Sequence, residues 1–205
     1  MWIKICGLTS VQAVSAALEL EVDALGFVFA ESPRRLSAPQ AAQLAQPAYG
    51  RVQRVAVTRH PTQTAIDEIL AVFRPDVLQS DAADLQRLRL PASLERLPVV
   101  RDAAGEGLEL PARILFEGAL SGSGVASNWQ LARQLARRTQ LILAGGLTAD
   151  NVGAAIERVQ PFGVDVSSGV EERPGLKSPA RMREFVAAVR AAAAAPAHTG
   201  TKDSS

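Results

Sequence analysis

The chain has 205 residues, 47% hydrophobic and 21% charged, with a net charge of +1, the profile of one soluble globular domain. So even a balance supplies no field for nucleic acid or an anionic membrane, and no apolar run approaches the roughly 20 residues that span a bilayer. The N-terminus MWIKICGLTS lacks the apolar core of a signal peptide and the chain has one cysteine, so a cytoplasmic protein is expected, with monomer and homodimer both left open.

In chain order, short β-branched or apolar runs alternate with longer alanine- and leucine-rich amphipathic stretches. The strand-like runs are WIKIC (2–6), DALGFVF (23–29), VQRVAV (52–57), DVLQ (76–79), PVVR (98–101), RILFE (113–117), LILAGG (141–146) and GVDVSS (163–168). Between most of them lie helix-like segments. One follows a hydroxyl cap at Thr9–Ser10, one follows Ser37, and one opens with Pro61 in its first turn. DAADLQRL, NWQLARQLARR, TADNVGAAIERV and SPARMREFVAAVRAAAA complete the set. The stretch 102–112, DAAGEGLELPA, is poor helix material and reads as a loop crossover. Strict alternation implies a parallel α/β sheet covered on both faces. Eight units fit a single compact (β/α)8 TIM barrel spanning 1–193, with a doubly wound open sheet as the competing arrangement. The end of the chain, 194–205, reads as a disordered tail.

In such folds ligands meet the C-terminal ends of the strands, and the unusual residues of this chain collect there. Cys6 closes the first run, SPRR (32–35) follows the second, Gln79 to Asp81 end the fourth and Glu117 ends the sixth. LAGGL (143–147) and VSSGVE (166–171) are small-residue turns after successive strands. Glycine lets backbone amides approach an anion, and a following helix N-terminus adds positive potential. This corner therefore suits a phosphate, with tight turns demanded only by geometry as the alternative. A period of two puts Lys4 and Cys6 on the inward face of the first strand and Asp165 and Ser167 on that of the last. A buried lysine needs a partner, which predicts a Lys4–Asp165 pair beneath the site. Cys6 is then either a small core residue or a chemical group at the mouth of the barrel.

KICGLT, DALGFVFAESPRRLS (23–37), LILAGGLTADNV (141–152) and GVDVSSGVEERPGLKS (163–178) together resemble the phosphoribosylanthranilate isomerase family, in matching order over about 1–190. The resemblance implies an Amadori rearrangement of a small phosphorylated aminoaldose to an aminoketose, with no metal and no organic cofactor. It implies Cys6 as general base, and a carboxylic acid after the sixth strand, here Glu117, as general acid. Arg34 would meet the aromatic carboxylate of the substrate, with Gln79 nearby. Gly145, Gly146, Ser167, Ser168 and Gly169 would hold the phosphate. The Lys4–Asp165 pair predicted from strand phase would support the site.

Three positions depart from the family pattern. The family's acid is an aspartate, and Glu117 reaches one methylene further; Asp165 is the alternative acid. Asp81 stands where the family often has histidine, and it is expected to point away from an anionic substrate or to pair with a cation. A glycine-rich loop is abbreviated to SGSGVASNW (121–129), leaving Gly122 and Gly124 to offer amides to the substrate. At pH 7 an ordinary thiol is roughly 3% thiolate and an ordinary glutamate roughly 0.2% protonated. Lys4 is expected to favour the thiolate, and apolar surroundings to keep Glu117 protonated. Another sugar-phosphate isomerase, or a phosphate-binding barrel that has lost catalysis, are the competing functions.

Overall fold

The computed structural model describes residues 1–101, 110–117 and 128–195. Eight parallel strands close in chain order: β1 (Trp2–Cys6), β2 (Ala24–Val28), β3 (Gln53–Val57), β4 (Val77–Asp81), β5 (Glu95–Arg101), β6 (Arg113–Glu117), β7 (Gln140–Leu143) and β8 (Gly163–Val166). β8 pairs with β1 from Trp2↔Gly163 to Ile5↔Val166, which completes the barrel and excludes the open sheet. Outside it lie α1 (Val11–Glu19), α2 (Ala38–Ala45), α3 (Gln63–Val72), α4 (Ala82–Arg87), α5 (Trp129–Ala136), α6 (Ala149–Val159) and α7 (Pro179–Ala194). No helix among the described residues is long and apolar enough to cross a membrane.

The period of two along each strand builds two apolar layers. Ile5, Phe27 and Phe116 point outward beneath the helices, while Val55, Val77, Leu97, Leu115 and Ile142 fill the barrel. Burying each such side chain stabilises the fold by about 1.5–3 kcal/mol. At the N-terminal end, Arg113 donates to Glu95 at 2.8 Å and to Gln140 at 3.1 Å, closing the floor with polar groups that satisfy one another. The opposite, C-terminal end is left to the polar residues considered below.

Local chemistry sets the helix starts. The Ser10 and Ser37 hydroxyls accept from the amides of Ala13 and Gln40, while Thr9 instead donates to Gly175 O at 2.6 Å. Pro61 is not in the first turn of α3: Thr62 is the cap, its hydroxyl accepting from Ala65, and the proline precedes it. β5 begins at Glu95, three residues before the expected start at Pro98. Residues 95–98 pair with β4, whereas pairing with β6 begins at Val99, so the proline lies where the strand lacks its second neighbour and a missing donor is tolerated. α7 continues through Ala194, one residue into the stretch assigned to the tail; residues from 196 lie outside the described residues, as does 102–109 of the expected loop crossover.

A hairpin that the sequence reading does not anticipate follows β8. β9 (Glu171–Arg173) and β10 (Leu176–Lys177) are antiparallel, and the register brings Lys177 opposite Glu171. Gly175 at the turn has φ +83°, and a Cβ there would stand 2.7 Å from Pro33 O. The hairpin is thereby seated against the loop after β2.

Candidate active site

At the C-terminal mouth, two polar groups face each other from opposite sides of the barrel. The first is built on β1, β8 and the hairpin. Lys4 is fully buried, and its ammonium donates to Asp165 Oδ1 at 2.8 Å, as the strand phasing predicts. The two residues are direct cross-strand partners. Gly26 of β2 makes room for them: a Cβ there would lie 2.9 Å from Cys6 Sγ and 3.1 Å from Lys4 Cε. A glycine inside a strand marks such a close approach.

Cys6 is buried directly above Lys4. Burial is the largest influence on its thiol and holds it above the ordinary value; the charges of Lys4 and Lys177 pull it down, and Asp165 pushes it up. Lys4 thus acts on the thiol in the expected direction but is outweighed, because Asp165 partly neutralises it and water is excluded. Burial by itself would lower the Lys4 ammonium, yet Asp165 and Cys6 together carry it above the usual lysine range.

Arg34 is not free-standing. Its Nε and Nη2 donate to the two carboxylate oxygens of Glu171, each at 2.7 Å, a bidentate pair that fixes the guanidinium plane. Glu171 is buried and also accepts from Lys177 Nζ at 2.7 Å and, through its backbone carbonyl, from Arg181. Lys177 donates in addition to Ser167 O at 3.0 Å. Burial would raise the Glu171 carboxyl, but Arg34 and Lys177 hold it below the ordinary glutamate value of 4.5. Lys177 is lowered from its usual value, chiefly by burial. Glu171 and Lys177 are missing from the sequence reading, although the Pro-Gly pair at 174–175 signals a turn that would join them.

A group with a depressed folded value stabilises the fold above its unfolded value, and this contribution is lost as pH falls through the folded one. Wild type should therefore exceed Glu171→Gln by about 1.5–3 kcal/mol at neutral pH, with the gap closing as pH falls below 4.5. Thermal melts of both proteins between neutral pH and pH 3 test this. A gap constant across that range would remove the Glu171 carboxylate as its source.

The second group comes from β4, β5 and β6. Asp81 pairs with a cation, as one of the two expectations held: Arg101 Nη1 donates to its Oδ1. Arg101 Nη2 lies 3.4 Å from Glu117 Oε2. The setting of Glu117 is therefore polar, with a guanidinium beside it, rather than the apolar one expected from ILFEG. Arg101 carries no signal of its own in the sequence, because its inward phase depends on a strand whose start the proline obscures. Gln79 of β4 is buried one inward position below Asp81, and its Oε1 has no hydrogen-bond partner.

The third component is the corner between β7 and β8. Gly145 and Gly146 adopt φ +89° and +65°, the left-handed region that favours glycine. The Asn151 side chain fixes the turn, accepting from Thr148 N at 2.9 Å and donating to Gly146 O at 2.8 Å. Ser168–Val170 form a short 3-10 turn after Ser167. A Cβ on Gly169 would fall 1.9 Å from Leu147 O, so the two loops touch through this glycine. Gly122 and Gly124 lie outside the described residues.

A closed (β/α)8 barrel with a thiol, acids and cations gathered at its C-terminal mouth has the layout of a barrel enzyme. Residues 3–188 match the family of N-(5'phosphoribosyl)anthranilate (PRA) isomerase. N-(5'-phosphoribosyl)anthranilate isomerase of Mesorhizobium japonicum is 36% identical over 218 residues, covering 93% of this chain and 95% of that protein. The crystal structure of TrpF from Jonesia denitrificans is similar at a TM-score of 0.78 and 31% identity, covering 95% of this chain and 98% of its own. Phosphoribosyl anthranilate isomerase from Thermus thermophilus gives 0.77 and 27%, covering 93% and 99%. The chain belongs to the phosphoribosylanthranilate isomerase family.

Proposed function

We propose that this protein converts N-(5'-phosphoribosyl)anthranilate to the corresponding 1-deoxyribulose 5-phosphate aminoketose by an Amadori rearrangement, in tryptophan biosynthesis. The observation that carries the chemistry is the placement of Cys6 and Glu117 on inward strand ends, separated around the barrel by β7 and β8. A substrate lying across the mouth would meet both. Protonated Glu117 gives its proton to the furanose oxygen, and the ring opens to a Schiff base. The Cys6 thiolate then removes the proton from sugar carbon 2, and the resulting enolamine tautomerises to the ketone.

Substrate binding follows from the same arrangement. Glu171 occupies the Nε–Nη2 edge of Arg34, so the end-on Nη1–Nη2 edge is the one offered to the anthranilate carboxylate. The unpartnered Gln79 Oε1 accepts from a substrate hydroxyl or amine, relieving an unmet buried acceptor. Gly145, Gly146, Ser167, Ser168 and Gly169 hold the phosphate with their amides and hydroxyls. The protein acts in the cytoplasm, as a monomer or homodimer.

The test is consumption of phosphoribosylanthranilate by the purified protein, followed as loss of its fluorescence. Turnover of about 1 s⁻¹ or faster is expected, within the ordinary enzyme range. Intact ligand binding without turnover would leave a phosphate-binding barrel and remove the proposed chemistry.

A further inference from the structure

We propose that Arg101 is a positioning residue for the acid, and that Asp81 sets how tightly it holds Glu117. The inference rests on the reading of Glu117 as proton donor. One planar guanidinium spans both carboxylates, with Nη1 on Asp81 and Nη2 toward Glu117. The strands dictate this: Arg101 is the cross-strand partner of Glu117, while Asp81 pairs with Val99, one inward position lower. All three side chains are partly buried, where a charge pair is stronger than on an open surface.

The two bonds are unequal. That to Asp81 is short, and that to Glu117 is long at 3.4 Å. Asp81 therefore takes the first share of the cation. Glu117 is oriented by the second nitrogen and held more loosely. The two departures from the family pattern, at 81 and 117, are thus coupled through a single arginine. The other groups facing this cluster are few among the described residues. His60 Nε2 of the loop after β3 is 3.9 Å from Asp81. Asp84 of α4 is already held by His60 N, Ser80 and Arg87. Val57 at the end of β3 and Ala144 just after β7 bring no charge.

The pH profile of kcat/KM reads this coupling, because the productive enzyme carries protonated Glu117 together with the Cys6 thiolate. In Asp81→Asn the guanidinium transfers to Glu117. The acid limb should move down by about one pH unit and the plateau should fall about tenfold with it. In Arg101→Gln the limb should move up instead, which keeps the test alive if Asp81→Asn does not fold. A His60→Gln background removes that imidazole from every profile. A merely structural role for the pair would lower stability or kcat and leave the limb in place. Limbs unmoved in both variants, with Glu117→Gln inactive, overturn this proposal alone. Undiminished turnover in Glu117→Gln overturns the acid assignment and the proposal with it.

Discussion

Replacing Lys4 by Met is expected to destabilise the fold by about 3–5 kcal/mol, the usual consequence of leaving one member of a buried ion pair without its partner. Lys4 has no exposed surface, and Asp165 is only 8% exposed. The ammonium and carboxylate meet at 2.8 Å inside the barrel. In the single variant the Asp165 charge stays there with nothing to balance it. Removing both charges, as Lys4→Met with Asp165→Leu, should recover most of the loss, because a packed apolar pair can replace a buried ion pair at little net cost. The folded lysine lies above its ordinary value of 10.5, so its contribution is complete below that pH and disappears as pH rises through the folded value. Chemical denaturation of the three proteins at pH 7 checks the order. A single variant as stable as wild type would show that the pair contributes nothing.

The same substitution has a kinetic signature. Lys4 lowers the Cys6 thiol and Asp165 raises it, so Lys4→Met removes the helpful charge and leaves the opposing one. The upper limb of kcat/KM should move to higher pH, and the double variant should bring it part of the way back. A limb that stays in place would mean that the lysine does not influence the thiol.

The barrel was legible because two simple periods repeat along the chain. RILFE, WIKIC and GVDV each turn two apolar side chains outward beneath the helices and place polar ones at defined inward positions, so strand phase alone pairs Lys4 with Asp165. What escaped depended on contacts between remote segments. Arg34 looked like a free guanidinium for substrate, but Glu171, 137 residues later, holds one edge of it. That carboxylate arrives on strands of three and two residues, too short for any periodic pattern to register. In sequence Glu117 follows Ile114 and Phe116, which point away beneath the helices. Its actual neighbour across the sheet is Arg101. Gly26 lies in the apolar run DALGFVF, and nothing in that run signals that its missing side chain is the space Cys6 and Lys4 occupy.

Cys6→Ser is expected to lower kcat by about 10²–10⁴, the usual contribution of a positioned general base, with little change in KM or in stability. The serine fits the same buried position, but its hydroxyl ionises far less readily than a thiol. The wild-type enzyme already works against an opposing gradient. Burial, and then Asp165, keep the thiol above its ordinary 9.0 despite Lys4 and Lys177, while the proposed mechanism needs it ionised beside a protonated acid. The height of the pH plateau is then set by the gap between acid and base, and each unit removed from that gap raises the rate about tenfold. The upper limb of kcat/KM in wild type should accordingly lie above pH 9.0 and vanish from the profile of the serine variant. Normal turnover by Cys6→Ser would take the thiol out of the reaction. The inward Asp165, the nearest carboxylate beneath it, would then become the base to test.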